Sequence, residues 1–436
     1  LKMFKLKLDM LLSLFLKVAF AVLSLLTISF LSGAMLKNEF GAYSYYFSIY
    51  SLCLIPFTVG FSRFNVRFLA SIDSNLRTSE AVSIFKAEVK ILAVMILFSL
   101  CVFLLLLSFL SFSEVLIIFL IVIPFVAVKN VIVSLYRGMG RTFYGNFDGL
   151  FAFPLLFLAV LYLSHEFLNI ELTASYNVLV FFTLSIVMTL IFYVSKLFQF
   201  KLNNNCSVFK LDKKVLTSIA LFTLIGALDV LNTHLDITIL GSLSTVSEVA
   251  EYKVSSTLKS VVLLPMQSFM LFIPFLFSKY YANTNLVILQ KNIHYLVILN
   301  VVACACFLVV YVFWGGQIIH LLFSDEYLQV KSIAMILIVS VFISSLFGPS
   351  IELLIASGHE KLVFKLVFVI MLIITIGNLS VVAKYGALGV AIMSALGIIT
   401  LSILGCYFAY RKVRLNTSVF GLYTIFFKKG FRRYDS

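Results

Sequence analysis

The chain has 436 residues, 62% of them hydrophobic and only 12% charged. A soluble domain carries roughly 45–50% apolar and about 25% charged residues, so too little polar material is left here to cover a soluble core. This excludes a soluble enzyme and a disordered scaffold. It also excludes a nucleic-acid binder, despite the net charge of +14, which in a membrane protein marks Lys and Arg collected on the cytoplasmic side.

The apolar runs are continuous, as in Val115–Pro124, whereas a β-barrel alternates over segments of about ten residues. Spanning helices need about 20 apolar residues each. The sequence predicts twelve, at 10–33, 41–62, 88–111, 115–136, 147–164, 174–197, 215–240, 252–277, 293–314, 332–357, 362–383 and 386–410. The first follows Lys2, Lys5 and Lys7 and runs longer than the apolar core of a signal peptide (about 7–15 residues), so a retained helix is expected. Lys and Arg crowd the alternate loops and both tails. The opposite loops hold only Lys37, Lys253, Lys331 and Lys384, and they carry acids such as Glu39, Glu248, Asp325 and Glu326. Both termini are therefore expected in the cytoplasm. Cys304 and Cys306 are two apart and point to opposite sides of a helix, which argues against a metal site or a disulfide.

A weak internal repeat runs at an offset of 209 residues. Glu39 to Tyr43 stands against Glu248 to Tyr252, Ser51 against Ser260, and Pro56 against Pro265. Later, Gly140-Arg141 stands against Gly358-His359. The fold expected is an all-α polytopic membrane protein, with about twelve transmembrane helices in two parallel six-helix lobes around a central cleft. Residues 1–205 and 206–410 would form the lobes, joined through the polar stretch 201–214, and 411–436 a basic cytoplasmic tail. The apolar stretch Val419–Phe427 in that tail is too short to span and is expected either to lie at the inner surface or merely to set topology.

Ionised groups at membrane depth are costly and mark sites or pairs. Asp229, Asn232, Thr233 and Asp236 fall at i, i+3, i+4 and i+7 in the seventh span, one polar face two turns long. His234 lies off that face and reads as an interhelical hydrogen-bonding residue. Lys17, Lys129, Lys259 and Glu352 lie within spans one, four, eight and ten, and Pro349 should weaken the last. The lysines suit an anionic substrate. The carboxylates suit sugar hydroxyls or a coupling ion, H⁺ or Na⁺. Lysine–carboxylate pairing between helices is the structural alternative. Arg63, Arg67, Arg137 and Arg141, at the inner ends of spans two and four, suit capture of a headgroup. No catalytic residues, metal ligands or cofactor motif appear.

The motifs Glu39-Phe40-Gly41-x-Tyr43-Ser44, Leu228-Asp229 followed by Ile239-Leu240-Gly241-Ser242-Leu243, and Glu248-Val249-Ala250-x-Tyr252 resemble the Wzx-type polysaccharide (O-antigen) flippases. Arg137-Gly138-x-Gly140-Arg141-Thr142, Ser357-Gly358-His359-Glu360-Lys361 and Tyr385-Gly386-Ala387-Leu388-Gly389-Val390-Ala391 fit the same family, in order along nearly the whole chain. The resemblance implies a flippase moving an undecaprenyl-diphosphate-linked oligosaccharide, an O-antigen or capsule repeat unit, from the inner to the outer leaflet of the bacterial inner membrane. Membrane lipids and the polysaccharide polymerase machinery would be its partners. The sequence departs from an arginine-rich cavity, because its cations within spans are lysines. The alternatives are a cation-coupled multidrug exporter of the same fold and a membrane-embedded glycan polymerase or ligase.

Overall fold

The computed structural model describes residues 2–72, 77–107, 114–197, 212–270 and 286–421. Residues 201–211 of the polar join 201–214 and the tail beyond 421 lie outside these residues. Among those described there are helices and no strands, in two compact units, Leu1–Gly241 and Ser242–Ser436.

The first unit holds α1 (Lys2–Ala34), α2 (Lys37–Cys53), α3 (Ile55–Ala70), α4 (Arg77–Leu107), α5 (Glu114–Gly138), α6 (Thr142–Phe147), α7 (Phe153–Glu166), α8 (Ala174–Leu197) and nearly all of α9 (Lys213–Leu243). The second holds α10 (Val246–Met270), α11 (Leu286–Leu322), α12 (Val330–Ser345), α13 (Ser350–Ala356) and α14 (Glu360–Val413). Seven described helices are long and apolar enough to cross a membrane, and two bent pairs make nine. At 54 residues, α14 is about 80 Å of helix against a hydrocarbon core of about 30 Å. It breaks at Gly386, whose φ of 51° and ψ of −137° are not helical, and so supplies two spans, as predicted.

Three predicted spans are interrupted instead of straight. Span two is α2 and α3, bent by 54°. Pro56 sits at the start of α3, where it cannot donate to the turn before it. Span ten is α12 and α13, bent by 50°, and the break at Gly348-Pro349 leaves the Leu346 carbonyl to accept from Val419 N–H at 2.9 Å. Span five carries a π-helical turn, Asp148–Ala152, between α6 and α7.

The chain past α14 does not stand off the protein over its described part. Gln290 donates to the Asn416 carbonyl at 2.5 Å and accepts from Asn416 N–H at 2.9 Å, and Leu415 and Thr417 are fully buried. At the opposite end of the second unit, the turn Asp325–Tyr327 tucks in its tyrosine. Burial, with Glu326 and Glu251 nearby, pushes that phenol upward, so it stays neutral.

The repeat is expressed as geometry. Gly140 and Gly358 have φ of 80° and 81°, and the residues around them bond alike. Arg141 N–H reaches the Tyr136 carbonyl at 3.0 Å, and His359 N–H the Leu354 carbonyl at 2.9 Å. These are matching left-handed helix stops. Space around Gly358 is open, so Gly358→Ala should cost only its backbone strain, about 1 kcal/mol, and Gly358→Asn less. Thermal unfolding in detergent measures both. Ser51 and Ser260 each donate back one turn at 2.8 Å, to Phe47 and Ser256.

Two glutamates of the repeat have a shared task that the sequence did not disclose. Glu39 Oε2 accepts the Ala174 N–H at 2.8 Å, at the start of α8. Glu248 Oε2 accepts the Ala387 N–H at 3.0 Å, at the restart of α14 after its kink. Each acid thus satisfies one of the orphan donors that open a helix.

Candidate functional site

The polar face of α9 lies partly against α3. Asp229 accepts from Arg63 Nη2 at 2.5 Å, and Arg67 sits over the Phe222 ring at 5.7 Å. Glycines permit this approach. A methyl at Gly60 would strike Thr223, and one at Gly226 would strike Val59 and crowd the Arg63 guanidinium. Asp229 remains 72% exposed, so the pair contributes no more than about 1 kcal/mol and is easily exchanged for another anion. Thr233 returns its hydroxyl to the Asp229 carbonyl at 2.9 Å. Asn232 is exposed and Asp236 half-buried. His234 points to α2, 3.4 Å from the Ser48 hydroxyl.

Lys17 of α1 and Arg137 of α5 come close enough to repel one another. Both are half-buried, and Arg137 Nε is buried with no hydrogen-bond partner among the described residues. Arg141, next to the helix stop, is exposed.

Lys129 does not line an open space as the sequence suggested. It is buried, 3.0 Å from Asp148 Oδ2, with its ammonium 4.7 Å from the Phe153 ring centre. Asp148 is fully buried in the π turn, so Lys129 fits the structural alternative, a lysine–carboxylate pair holding helices together. Sequence reasoning missed Asp148, because it lies at the edge of a predicted span. It also missed Glu88, the first residue of another, which is fully buried beside Asn65 and Ser134. No local signal marks either residue, and Glu88 even lies between Lys86 and Lys90.

In the second unit Lys259 is half-buried and feels the charge of Lys253. Glu352 is half-buried in the first turn of α13, below the break that Pro349 was expected to cause. Among the described residues no three His, Cys, Asp or Glu side chains gather as a metal site. Cys304 is buried and Cys306 exposed, on opposite sides of their helix.

The helices and their breaks define an all-α polytopic membrane fold. No known protein family and no curated protein matches the chain by sequence. Among solved structures it is similar to an inward-facing multidrug resistance MATE family transporter of the MOP superfamily, with a TM-score of 0.70, 16% identity, and 91% of this chain and 94% of that one covered. It is also similar to the lipid II flippase MurJ in an inward closed conformation, with a TM-score of 0.67, 14% identity, and 92% and 88% covered. A MOP superfamily transporter from Pyrococcus furiosus matches with a TM-score of 0.63, 13% identity, and 94% of each chain covered. At these identities the likeness is one of fold: the chain has the fold of the MOP superfamily transporters.

Proposed function

We propose that this chain is a flippase. It moves an undecaprenyl-diphosphate-linked oligosaccharide from the inner to the outer leaflet of a bacterial inner membrane by alternating access. The observation that carries the reading is the pair Lys17 and Arg137. Two like charges at half-buried positions feel one another, and Arg137 Nε is buried with no hydrogen-bond partner among the described residues. A diphosphate relieves both, because it is multiply anionic and matches the guanidinium fork. Arg63 and Arg67 offer a first contact at the basic end, and Lys259 a further cation. Asp229, Asp236 and Glu352 serve sugar hydroxyls or a coupling ion. The fold also serves a lipid II flippase, which accords with a lipid-linked cargo.

Lys17→Ala and Arg137→Ala, each expressed at normal level in a deletion strain, test the reading. Losing a charge-assisted contact of about 1.5–3 kcal/mol should lower surface polysaccharide at least about tenfold. Unchanged polysaccharide together with lost drug resistance would sink it in favour of a multidrug exporter.

A further inference from the structure

The buried cluster joining α3, α4 and α5 has an unfilled hydrogen-bond account. Asn65 gives one amide N–H to Glu88 Oε2 at 2.9 Å and one to Ser134 Oγ at 2.8 Å. Ser134 donates its own hydrogen to the Val131 carbonyl at 2.7 Å. Two acceptors then remain, Glu88 Oε1 and Asn65 Oδ1, both buried and without a hydrogen-bond partner among the described residues. All three side chains have zero exposure.

No described cation lies within ion-pairing reach of Glu88 to compensate it. On α3, Arg63 is engaged by Asp229 and Arg67 lies over Phe222. On α5, Lys129 is committed to Asp148, and the stem of Arg137 lies under Gly145 of α6. Tyr136, also on α5, is fully buried. On α4 itself, Lys86 and Lys90 are exposed, away from the buried carboxyl, and Glu80 is half-buried. A lone carboxylate sealed from water with a single hydrogen bond is costly, and such groups neutralise instead. A proton on Oε1 also supplies a donor where only acceptors remain.

We propose that Glu88 is a proton-binding site. It holds a proton on Oε1 while α3, α4 and α5 are packed, and releases it to water at the basic end of the unit when α4 parts from them. The proton moves from the carboxyl oxygen to water and no other bond changes. That this release belongs to a transport cycle rests on the flippase reading. The occupancy of the site does not.

The test uses the full chain in vesicles. Infrared difference spectra at neutral pH, wild type minus Glu88→Gln, should show the carbonyl stretch of a protonated carboxylic acid that shifts in D₂O. Glu88→Asp should displace that band, which keeps the assignment testable if Glu88→Gln does not fold. Absence of any such band attributable to position 88 overturns the proposal, whatever the cargo. In cells, an imposed pH gradient should change polysaccharide output in wild type and leave Glu88→Gln unaffected. Equal responses of the two overturn the coupling while leaving the flippase reading intact.

Discussion

Asp148→Ala should be among the most destabilising single substitutions in the first unit, costing about 3–5 kcal/mol. The change strips the partner from Lys129, which is itself buried and held 3.0 Å from the lost carboxylate. Among the described residues the ammonium then keeps only the face of Phe153, worth at most about 2 kcal/mol when desolvated. Lys129→Met in the same chain should recover most of the loss, because the unpaired charge goes with it. Thermal unfolding in detergent of the two single variants and the double variant gives the coupling directly. A double variant no more stable than Asp148→Ala alone would show that the π turn, not the ion pair, depends on Asp148.

That pair shows where a single sequence stops being legible. Run lengths place the spans well, because a membrane demands about 20 apolar residues whatever the tertiary packing. The break of α14 at Gly386 is legible for the same reason: one helix of its length has nowhere to go. Breaks within spans are less so. Pro56 and Pro265 occupy equivalent places in the repeat, yet α3 begins anew around the first while α10 runs on through the second. The proline alone does not decide this.

The site was legible residue by residue but not in its pairings. The sequence singles out both Arg63 and Asp229, and the structure joins them across 166 positions. Lys17 and Arg137 suit different tasks in the sequence, yet they lie near enough to feel each other's charge. Lys129 stands out in the sequence and its partner Asp148 does not. Asp148 and Glu88 sat at predicted span edges, where a charge reads as solvated. Packing at the basic ends of the helices covers both, and nothing local to either residue signals that cover.

The repeated glutamates carry the second large effect. Glu248→Ala should leave the Ala387 N–H, buried at the restart of α14, without its charged acceptor, at a cost of about 1–3 kcal/mol. Glu39→Ala should do the same to the Ala174 N–H of α8. Glutamine at either position keeps an acceptor oxygen and should cost less than alanine. Gly386→Ala attacks the same junction from the other side. Its methyl would strike the Glu248 carboxylate, and its backbone would keep a conformation that only glycine adopts readily, adding about 1–3 kcal/mol of strain. Since the clash already displaces the carboxylate, Gly386→Ala combined with Glu248→Ala should cost clearly less than the sum of the two. Glu39→Ala combined with Glu248→Ala has no shared partner and should be additive within about 0.5 kcal/mol. Unfolding measurements on these two double variants separate a junction built around one carboxylate from a general weakening of the helices. Additivity in the first pair would mean that Gly386 and Glu248 act independently.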